Sequence, residues 1–390
     1  MKEKIFLHQF IPKEFDYLTK IKKISYLGEN LKTDYLINIL NELITKFYFT
    51  DDIYFNLWSV ILRKKYGANY NTYIQYLIDK GFISMTSNYY ATKKAKTYKL
   101  NINNLNVIRC KINDNILLKK YQKNYLLRSI TNSDSSPIDL NLRKLLVDDL
   151  YHVNINYSES INHINKLLEQ KQIDLTKYYK NLSSIDSVNT GHVFFKFDSY
   201  GRMHTNFTIL KKYIRQNFLT IDGQLTSEID IKNSQPFFLV SILKKEIGEE
   251  NFNDEVKKYI DVVKNGLLYD ELLENFPEQI HNRDEAKIII YRVLFGNNSE
   301  NRSENKLFRK LYPTVYNYIK EIKSMKNSYK ELSHALQLVE SQFIFGSVVK
   351  EIKEKFPHIR LFTIHDSIVF PEKYKEEVNI IFRKHLKNLI

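Results

Sequence analysis

The chain has 390 residues, a formal net charge of +14 and an isoelectric point of about 9.3, which suits two or three domains and a polyanionic partner such as nucleic acid. Its single cysteine, Cys110, excludes a disulfide framework and a structural zinc site within one chain. No stretch has the apolar core of a signal peptide or the length of a membrane span, so we expect a cytoplasmic protein with no membrane partner.

Residues 1–105 predict a small domain of helices and a hairpin. Apolar residues recur at helical spacing in three segments: Asp34–Lys46, Asp51–Tyr66 and Asn69–Lys80. Gly81 is suited to end the third helix, and two extended runs separated by a polar turn follow it. This order resembles a winged helix, a variant of the helix-turn-helix. In that interpretation the third helix reads nucleic acid and the wing contacts phosphates through Lys93, Lys94 and Lys96. A helical domain for protein contacts is the alternative.

Residues 106–190 predict a basic, helical region. Helical patterns cover three segments: Lys119–Arg128, Leu140–Leu150 and Ser158–Gln170. The polar residues 131–137 predict a linker after the first of them.

Two aspartates in the C-terminal half stand at the tips of short apolar, β-branched runs. Asp230 ends the run that begins at Leu225, and Asp366 lies inside Leu361–Phe370. Such runs predict buried strands that carry a carboxylate at their end. Paired carboxylates can hold two divalent ions that bridge the attacking and leaving oxygens in phosphoryl transfer. On its own, a His-Asp pair after a strand is more typical of an ordinary turn.

A helix is predicted between the two aspartates, starting at Arg283 and ending at Phe295. The stripe residues, spaced four apart on one face, are Arg283, Lys287, Tyr291 and Phe295. The two cations near the N-terminal end can contact phosphates, aided by the positive end of the helix. The two rings can stack on a base and a sugar. A solvated basic face and ordinary core packing are the alternatives for the cations and the rings.

Together these segments resemble motifs of the family A DNA polymerases and of the related single-subunit phage-type RNA polymerases. The predicted helix has the spacing of motif B without a gap, in Arg283, Lys287, Phe295 and Gly296. The pair His365 and Asp366 is similar to the His-Asp of motif C, with Ser367 after it as in the RNA polymerases.

Motif A and an upstream element match more loosely. Asp230, Ser234 and Gln235 resemble the Asp, Ser and Gln of motif A, with two extra residues in between. The run Asp198–His204 is similar to the Asp-x-x-Gly-Arg element that precedes motif A. The resemblance covers about residues 190–390.

The resemblance implies an α+β polymerase shaped like a right hand. Its parts are an antiparallel palm of residues 191–245 and 333–390 and helical fingers of residues 246–332. Outside the resemblance, residues 106–190 suit a thumb-like region by their position, and the predicted winged helix precedes them. No segment has the clustered acidic residues of a proofreading exonuclease.

The residue roles follow the motifs. Asp230 and Asp366 are expected to hold two Mg²⁺ ions, with Mn²⁺ as an alternative, and Lys287 is expected to protonate the pyrophosphate leaving group. The expected nucleotide-binding residues are Arg283, Lys287, Tyr291, Phe295 and Gln235. The expected contacts to a DNA or RNA template and primer are Arg202, His204, His365 and Gln337, and Glu340 is a weaker candidate beside them.

Two questions stay open at this stage. The position that selects the sugar aligns with Gln235, and Phe295 lacks the hydroxyl that helps RNA polymerases accept ribose, so deoxynucleotides are slightly favoured. The competing hypothesis is a binding protein with a degenerate polymerase fold, acting as a replication initiator or regulator. The presence of Asp230, Asp366, Arg283 and Lys287 argues against it, since a binding module does not need all four.

Overall fold

The computed structural model describes residues 7–50, 53–87, 96–101, 106–120, 136–191, 195–299, 302–324 and 329–389. Over these residues the fold is α+β, mostly helical, with small antiparallel sheets. Within the same ranges no helix combines the length and the apolar character needed to cross a membrane.

The helices in this part of the chain are α1 (Thr33–Thr50), α2 (Ser59–Tyr66), α3 (Tyr70–Asp79), α4 (Leu140–Leu150), α5 (Tyr157–Glu169), α6 (Leu175–Asn189), α7 (Asn206–Ile209), α8 (Lys212–Phe218), α9 (Ser234–Ile247), α10 (Asp254–Lys264), α11 (Leu268–Asn275), α12 (Arg283–Phe295), α13 (Ser303–Leu311), α14 (Pro313–Ser324), α15 (Glu331–Ser341), α16 (Lys350–Lys355) and α17 (Lys375–Leu389). A π-helical segment, Gln342–Val349, joins α15 to α16.

The strands are β1 (Leu7–Pro12), β2 (Lys23–Tyr26), β3 (Glu29–Lys32), β4 (Tyr54–Leu57), β5 (Ile83–Ser87), β6 (Lys96–Leu100), β7 (Val107–Ile112), β8 (Val153–Ile155), β9 (Phe195–Phe197), β10 (Met203–Thr205), β11 (Leu219–Ile221), β12 (Gln224–Ile229), β13 (Phe362–Ile364) and β14 (Ser367–Pro371).

The chain divides into two compact units, each discontinuous in sequence. The first unit comprises residues 1–132, 153–195 and 205–223, and the second comprises residues 133–152, 196–204 and 224–390. The region 106–190, predicted as one helical segment, therefore contributes to both. Its predicted helices Leu140–Leu150 and Ser158–Gln170 are confirmed as α4 and α5. Of Lys119–Arg128, only the first two residues lie in the described part, where residues 115–120 are helical.

In the first unit, α1, α2 and α3 pack with an antiparallel sheet of order β4-β6-β5. The predicted helices Asp34–Lys46 and Asn69–Lys80 are confirmed as α1 and α3. A helix over Asp51–Tyr66 was the wrong prediction for its first half, because β4 pairs there with β6 and buries Phe55 between exposed Tyr54 and Asn56. Alternation of this kind suits a strand, and it was hidden by the helical pattern that continues into α2.

In the second unit, an antiparallel sheet of order β13-β14-β12 carries helices against it. Its central strand, β14, is buried along its whole length. Helices α9, α17 and the π-helical segment meet through their rings. Phe343 lies 6.0 Å from Phe238 and 5.5 Å from Phe382, measured between ring centroids.

Helices α10 to α14 form a helical region around a second aromatic core. Tyr259 lies 5.1 Å from Tyr312 and 6.3 Å from Phe308 between ring centroids, and all three side chains are fully buried. Helix α12 packs in this region beside α11 and α13 and also contacts α15, the helix that carries Glu340.

Candidate active site

The structure brings the two predicted aspartates to the same end of the second unit's sheet. Strand β12 ends at Ile229, whose ladder partner on β14 is Ile368. Asp230 follows Ile229 directly. Strands β13 and β14 pair from Ile364 to Ser367, so His365 and Asp366 form the two-residue turn between them. The strand pairing therefore sets both carboxylates at neighbouring strand ends.

A buried serine holds these strand ends together. Ser367 Oγ lies 2.9 Å from Glu228 Oε1 on β12 and 3.1 Å from the carbonyl oxygen of Ile364. Its hydroxyl has a single proton, which it can donate to either oxygen. This contact ties the turn that carries Asp366 to the strand that carries Asp230.

The carboxylates of Asp230 and Asp366 make no hydrogen bond or ion pair with any residue that the structure describes. Asp230 is exposed and Asp366 is half-buried. Among those residues, no group of three or more His, Cys, Asp or Glu side chains could hold a metal ion. Mg²⁺ in phosphoryl-transfer sites is commonly bound by one or two carboxylates, waters and substrate phosphates. Two unpaired carboxylates are therefore compatible in their chemistry with a divalent ion that brings further ligands of its own.

Backbone in the left-handed region occurs close to both aspartates. His365, the first residue of the turn, has φ 54°, and Asn233, at the N-cap of α9, has φ 53°. Each such non-glycine residue costs on the order of 1 kcal/mol, and such strain is common at functional sites. His365 directly precedes Asp366, and Asn233 is the third residue after Asp230. Their backbone conformations therefore help to set the course of the chain next to each carboxylate.

Glu340, a weaker candidate from the sequence, is the centre of a buried network. It lies on α15 and is 1% exposed. Its carboxylate accepts from Arg202 Nε and Nη2, both at 2.8 Å, and from Gln235 Nε2 at 2.6 Å. Burial raises the pKa of Glu340, while Arg202 and Gln235 act in the opposite direction. The predicted roles of Arg202 and Gln235 stay predictions, since in this structure both side chains bind Glu340.

The motif that carries Arg202 is a hairpin turn between β9 and β10. Asp198 Oδ1 accepts from the backbone of Tyr200 and Arg202, and His204 Nε2 lies 2.9 Å from Asp198 Oδ2. Although burial opposes it, these hydrogen bonds, led by that of His204, lower the pKa of Asp198. The acidic side chain therefore shapes the turn, and it orients the His204 ring at the same time.

The hairpin requires glycine at position 201 because of its backbone conformation and its close neighbour. Its φ is 84°, and a Cβ at this position would lie 2.0 Å from Ser341 Oγ. Ser341 Oγ instead donates to the carbonyl of Gly201 at 3.1 Å. The hairpin thus docks closely on α15, and this approach lets Arg202 reach Glu340, the residue before Ser341.

Helix α12 has the predicted bounds, and Asn282 caps it by accepting from the backbone of Glu285 at 2.9 Å. At its N-terminal end Arg283 forms two bonds to Asp270, at 2.8 and 2.6 Å, and a third to the carbonyl of Gly266. Its guanidinium lies 5.6 Å from the Tyr269 ring centroid. The Arg283 guanidinium therefore already has partners within the protein, although the side chain is still 54% exposed.

The rest of the stripe lines one open groove. Lys287 Nζ lies 5.8 Å from the centroid of the Tyr291 ring, which in turn is 5.6 Å from the Phe295 ring. Arg292 and Arg302 line the same groove. Lys287 is exposed and both rings are half-buried, so a cation and two aromatic edges face solvent along one side of the helix.

Electrostatics connect this stripe to the aspartates. Burial is the main reason that the pKa of Tyr291 is raised, and the negative charges of Asp366 and Glu340 raise it further. The pKa of Tyr269 is raised mainly by burial as well, with a contribution from Asp366. The charge of the Asp366 carboxylate therefore affects the pKa of Tyr291, on α12, and of Tyr269, on α11.

Lys323 was not predicted from the sequence to have a role near the site. It lies on α14, is 3% exposed, and its Nζ donates to the carbonyls of Val293 and Gly296 at the end of α12. Burial, together with Arg302, lowers its pKa to about 8. A cation here satisfies carbonyls that the helix leaves unpaired and complements its negative end. No local signal points to it, because the partners are 30 and 27 residues away.

The other predicted contacts are placed as follows. The rings of His204 and His365 are 6.2 Å apart, next to the turn that carries Asp366. Gln337 Nε2 donates to Ser333 Oγ at 3.1 Å on α15. In the first unit Lys96 is exposed at the start of β6, while Lys93 and Lys94 lie outside the described residues.

Comparison with known proteins adds no relative. No protein-family model matches the sequence, and no curated protein matches it.

Proposed function

We propose that this protein is a nucleic-acid polymerase that transfers nucleotides from nucleoside triphosphates to a 3′-hydroxyl. The observation that carries the proposal is the pair of unpartnered carboxylates, Asp230 and Asp366, at adjoining strand ends. A binding site for a polyanion has no use for two bare negative charges, because they repel phosphate. They become useful once divalent cations accompany the substrate, as in two-metal phosphoryl transfer.

The residues around the carboxylates have roles that suit this reaction. Asp230 and Asp366 would hold Mg²⁺, which supplies charge stabilisation for the attacking and leaving oxygens. Lys287 is exposed on the stripe and can donate a proton to the departing pyrophosphate. Arg283 can exchange its contact with Asp270 for the triphosphate, since both groups lie at the surface. Tyr291 and Phe295 offer rings for the base and sugar.

The sugar preference is the least constrained part of the proposal. Gln235 is buried and bound to Glu340, so it presents no flexible arm to a nucleotide. Phe295 has no hydroxyl with which to favour ribose. We therefore retain a slight preference for DNA synthesis, directed by a template and without proofreading.

The first unit supports a nucleic-acid-binding role at the N-terminus. Its elements follow the order α1, β4, α2, α3, β5, β6, with β6 in the middle of the sheet. This order resembles that of a winged helix, in which α2 and α3 would form the helix-turn-helix. A purely binding function, such as a replication initiator, would use this unit alone and would leave Asp230 and Asp366 unexplained.

A primer-extension assay tests the proposal. The full chain would be incubated with primed DNA or RNA templates, Mg²⁺ and labelled ribo- or deoxynucleotides, with and without primer. We expect incorporation by the wild type and almost none by Asp230→Asn or Asp366→Asn, at unchanged thermal stability. Asp254→Asn is the matched control, since Asp254 is exposed in the same unit, on α10, which carries none of the assigned site residues. Template binding without incorporation in every condition would instead support the binding-protein hypothesis.

A further inference from the structure

The exposed face of α3 carries side-chain amides. In a recognition helix, the corresponding face contacts the edges of the bases. Helix α2 ends at Tyr66, and the three residues 67–69, beginning with Gly67 at φ 92°, lead into α3. Helices joined by a short turn with glycine are typical of the helix-turn-helix, whose second helix enters the major groove. The inner face of α3 is buried through Tyr73, Ile74 and Leu77, so its outer face is available to a partner.

That outer face is polar and narrow. Asn71, Gln75 and Asp79 follow one another at intervals of four residues, and all three are exposed. Asn and Gln are the side chains that pair bidentately with adenine, accepting from its amino group and donating to its N7. Their spacing of one helical turn is about 6 Å along the axis, close to two base-pair steps of roughly 3.4 Å.

Asp79 sets the direction of the Gln75 amide. Gln75 Nε2 donates to Asp79 Oδ1 at 2.7 Å, and Tyr26 donates its hydroxyl to the other oxygen of Asp79. These hydrogen bonds, Tyr26 first, lower the pKa of Asp79, so the carboxylate remains an acceptor. An acceptor here holds the nitrogen end of the amide in place. One N–H and the carbonyl oxygen of Gln75 then remain, and this is the donor and acceptor pair that adenine requires.

Cations flank this face. Arg63 and Lys64, in the last turn of α2, are exposed and make no ion pair with any part of the chain that the structure describes. Lys80 stands at the other end of α3, and its Nζ lies 5.7 Å from the Tyr76 ring. Asp79 places one negative charge within this face, and the exposed cations at both of its ends complement two phosphate backbones on either side of a groove.

We propose that α3 reads adenines in the major groove of a DNA duplex, through Asn71 and through a Gln75 amide oriented by Asp79. This inference rests on the winged-helix part of the proposed function and is independent of the chemistry at Asp230. It assigns the N-terminal unit to choice of site on double-stranded DNA, in addition to general affinity for a template.

Selection from a random-sequence DNA duplex library tests the inference. The full chain should enrich sites with two adenines one or two steps apart. Gln75→Ala should bind the selected duplex about tenfold or more weakly, with no change on an unselected duplex, because one bidentate contact is lost. Replacing the adenine contacted by Gln75 with 7-deazaadenine should weaken DNA binding by the wild type to a similar extent. The same replacement should leave DNA binding by Gln75→Ala unchanged. Asp79→Asn should relax the preference, since an asparagine amide can bond to either end of the Gln75 amide and so no longer sets its orientation.

Lys64→Ala is the control for backbone contacts. It should weaken binding to both duplexes equally and lower the slope of log affinity against log salt by about one. Equal thermal unfolding of all variants would show that these exposed substitutions leave the fold intact. Enrichment of no sequence, or an unchanged preference in Gln75→Ala, would overturn the inference. Asp230→Asn should select the same sites as the wild type, so a failure of the polymerase proposal is detected separately.

Discussion

Replacing Arg202 by methionine should destabilise the second unit strongly. Methionine keeps an unbranched apolar stem but removes two hydrogen bonds and the positive charge from Glu340, which is 1% exposed. Removing one partner of a buried ion pair costs about 3–5 kcal/mol, because the remaining charge is uncompensated. Glu340→Gln should cost less, about 1–3 kcal/mol, since an amide can still accept from Arg202.

The double variant Arg202→Met with Glu340→Gln should be more stable than the sum of the single effects predicts. With the carboxylate gone, methionine no longer leaves a buried charge, and we expect a coupling free energy of about 1–3 kcal/mol. The free energies of unfolding would come from urea denaturation followed by circular dichroism. Arg202→Lys, which keeps the charge with fewer directed donors, should fall between the wild type and Arg202→Met.

The effect of pH provides an independent check on the same pair. The pKa of Glu340 is raised by burial, and loss of Arg202 should raise it further. Stability associated with a raised carboxyl pKa is present below the unfolded-state value and is lost as the pH rises through the folded-state value. The deficit of Arg202→Met should therefore be smaller at about pH 5 than at about pH 8. Additive effects within about 0.5 kcal/mol, with no pH dependence, would refute this account of the network.

Three further outcomes are expected. In single-turnover kinetics, Lys287→Ala should lower the rate at saturating nucleotide, whereas Arg283→Ala should raise the nucleotide concentration needed; equally small effects would indicate a merely solvated helix face. Lys323→Met should lower the free energy of unfolding by about 1–3 kcal/mol, because two carbonyls of α12 lose their donor, and its melting temperature should lie well below that of Lys306→Met, at an exposed lysine of α13; equal melting temperatures would count against this. Gly201→Ala should lower the free energy of unfolding by about 1–3 kcal/mol or more, since φ is 84° and Ser341 leaves no room for Cβ. An unfolding curve identical to that of the wild type would contradict the close docking of the hairpin on α15.

Local patterns were enough to predict most elements near the site. The bounds of α12 agree with the prediction because the N-cap, the spacing of four and the final glycine all lie within fifteen residues of one another. The strand before Asp230 and the turn at Asp366 were likewise visible as apolar runs ending in a polar residue. Strand β4 was missed because only pairing with β6 distinguishes its four residues from the start of a helix.

Local sequence patterns therefore predict the elements and the residues that each presents: a cationic and aromatic helix face, and a carboxylate at two strand tips. Which charges stay free depends on contacts between distant parts of the chain. Arg202 and Gln235 meet Glu340 across 138 and 105 residues, and Arg283 meets Asp270. Asp230 and Asp366 meet no described partner. Hydrogen bonding and ion pairing depend on distances of about 3 Å between side chains that are remote in sequence, so local periodicity carries no information about them.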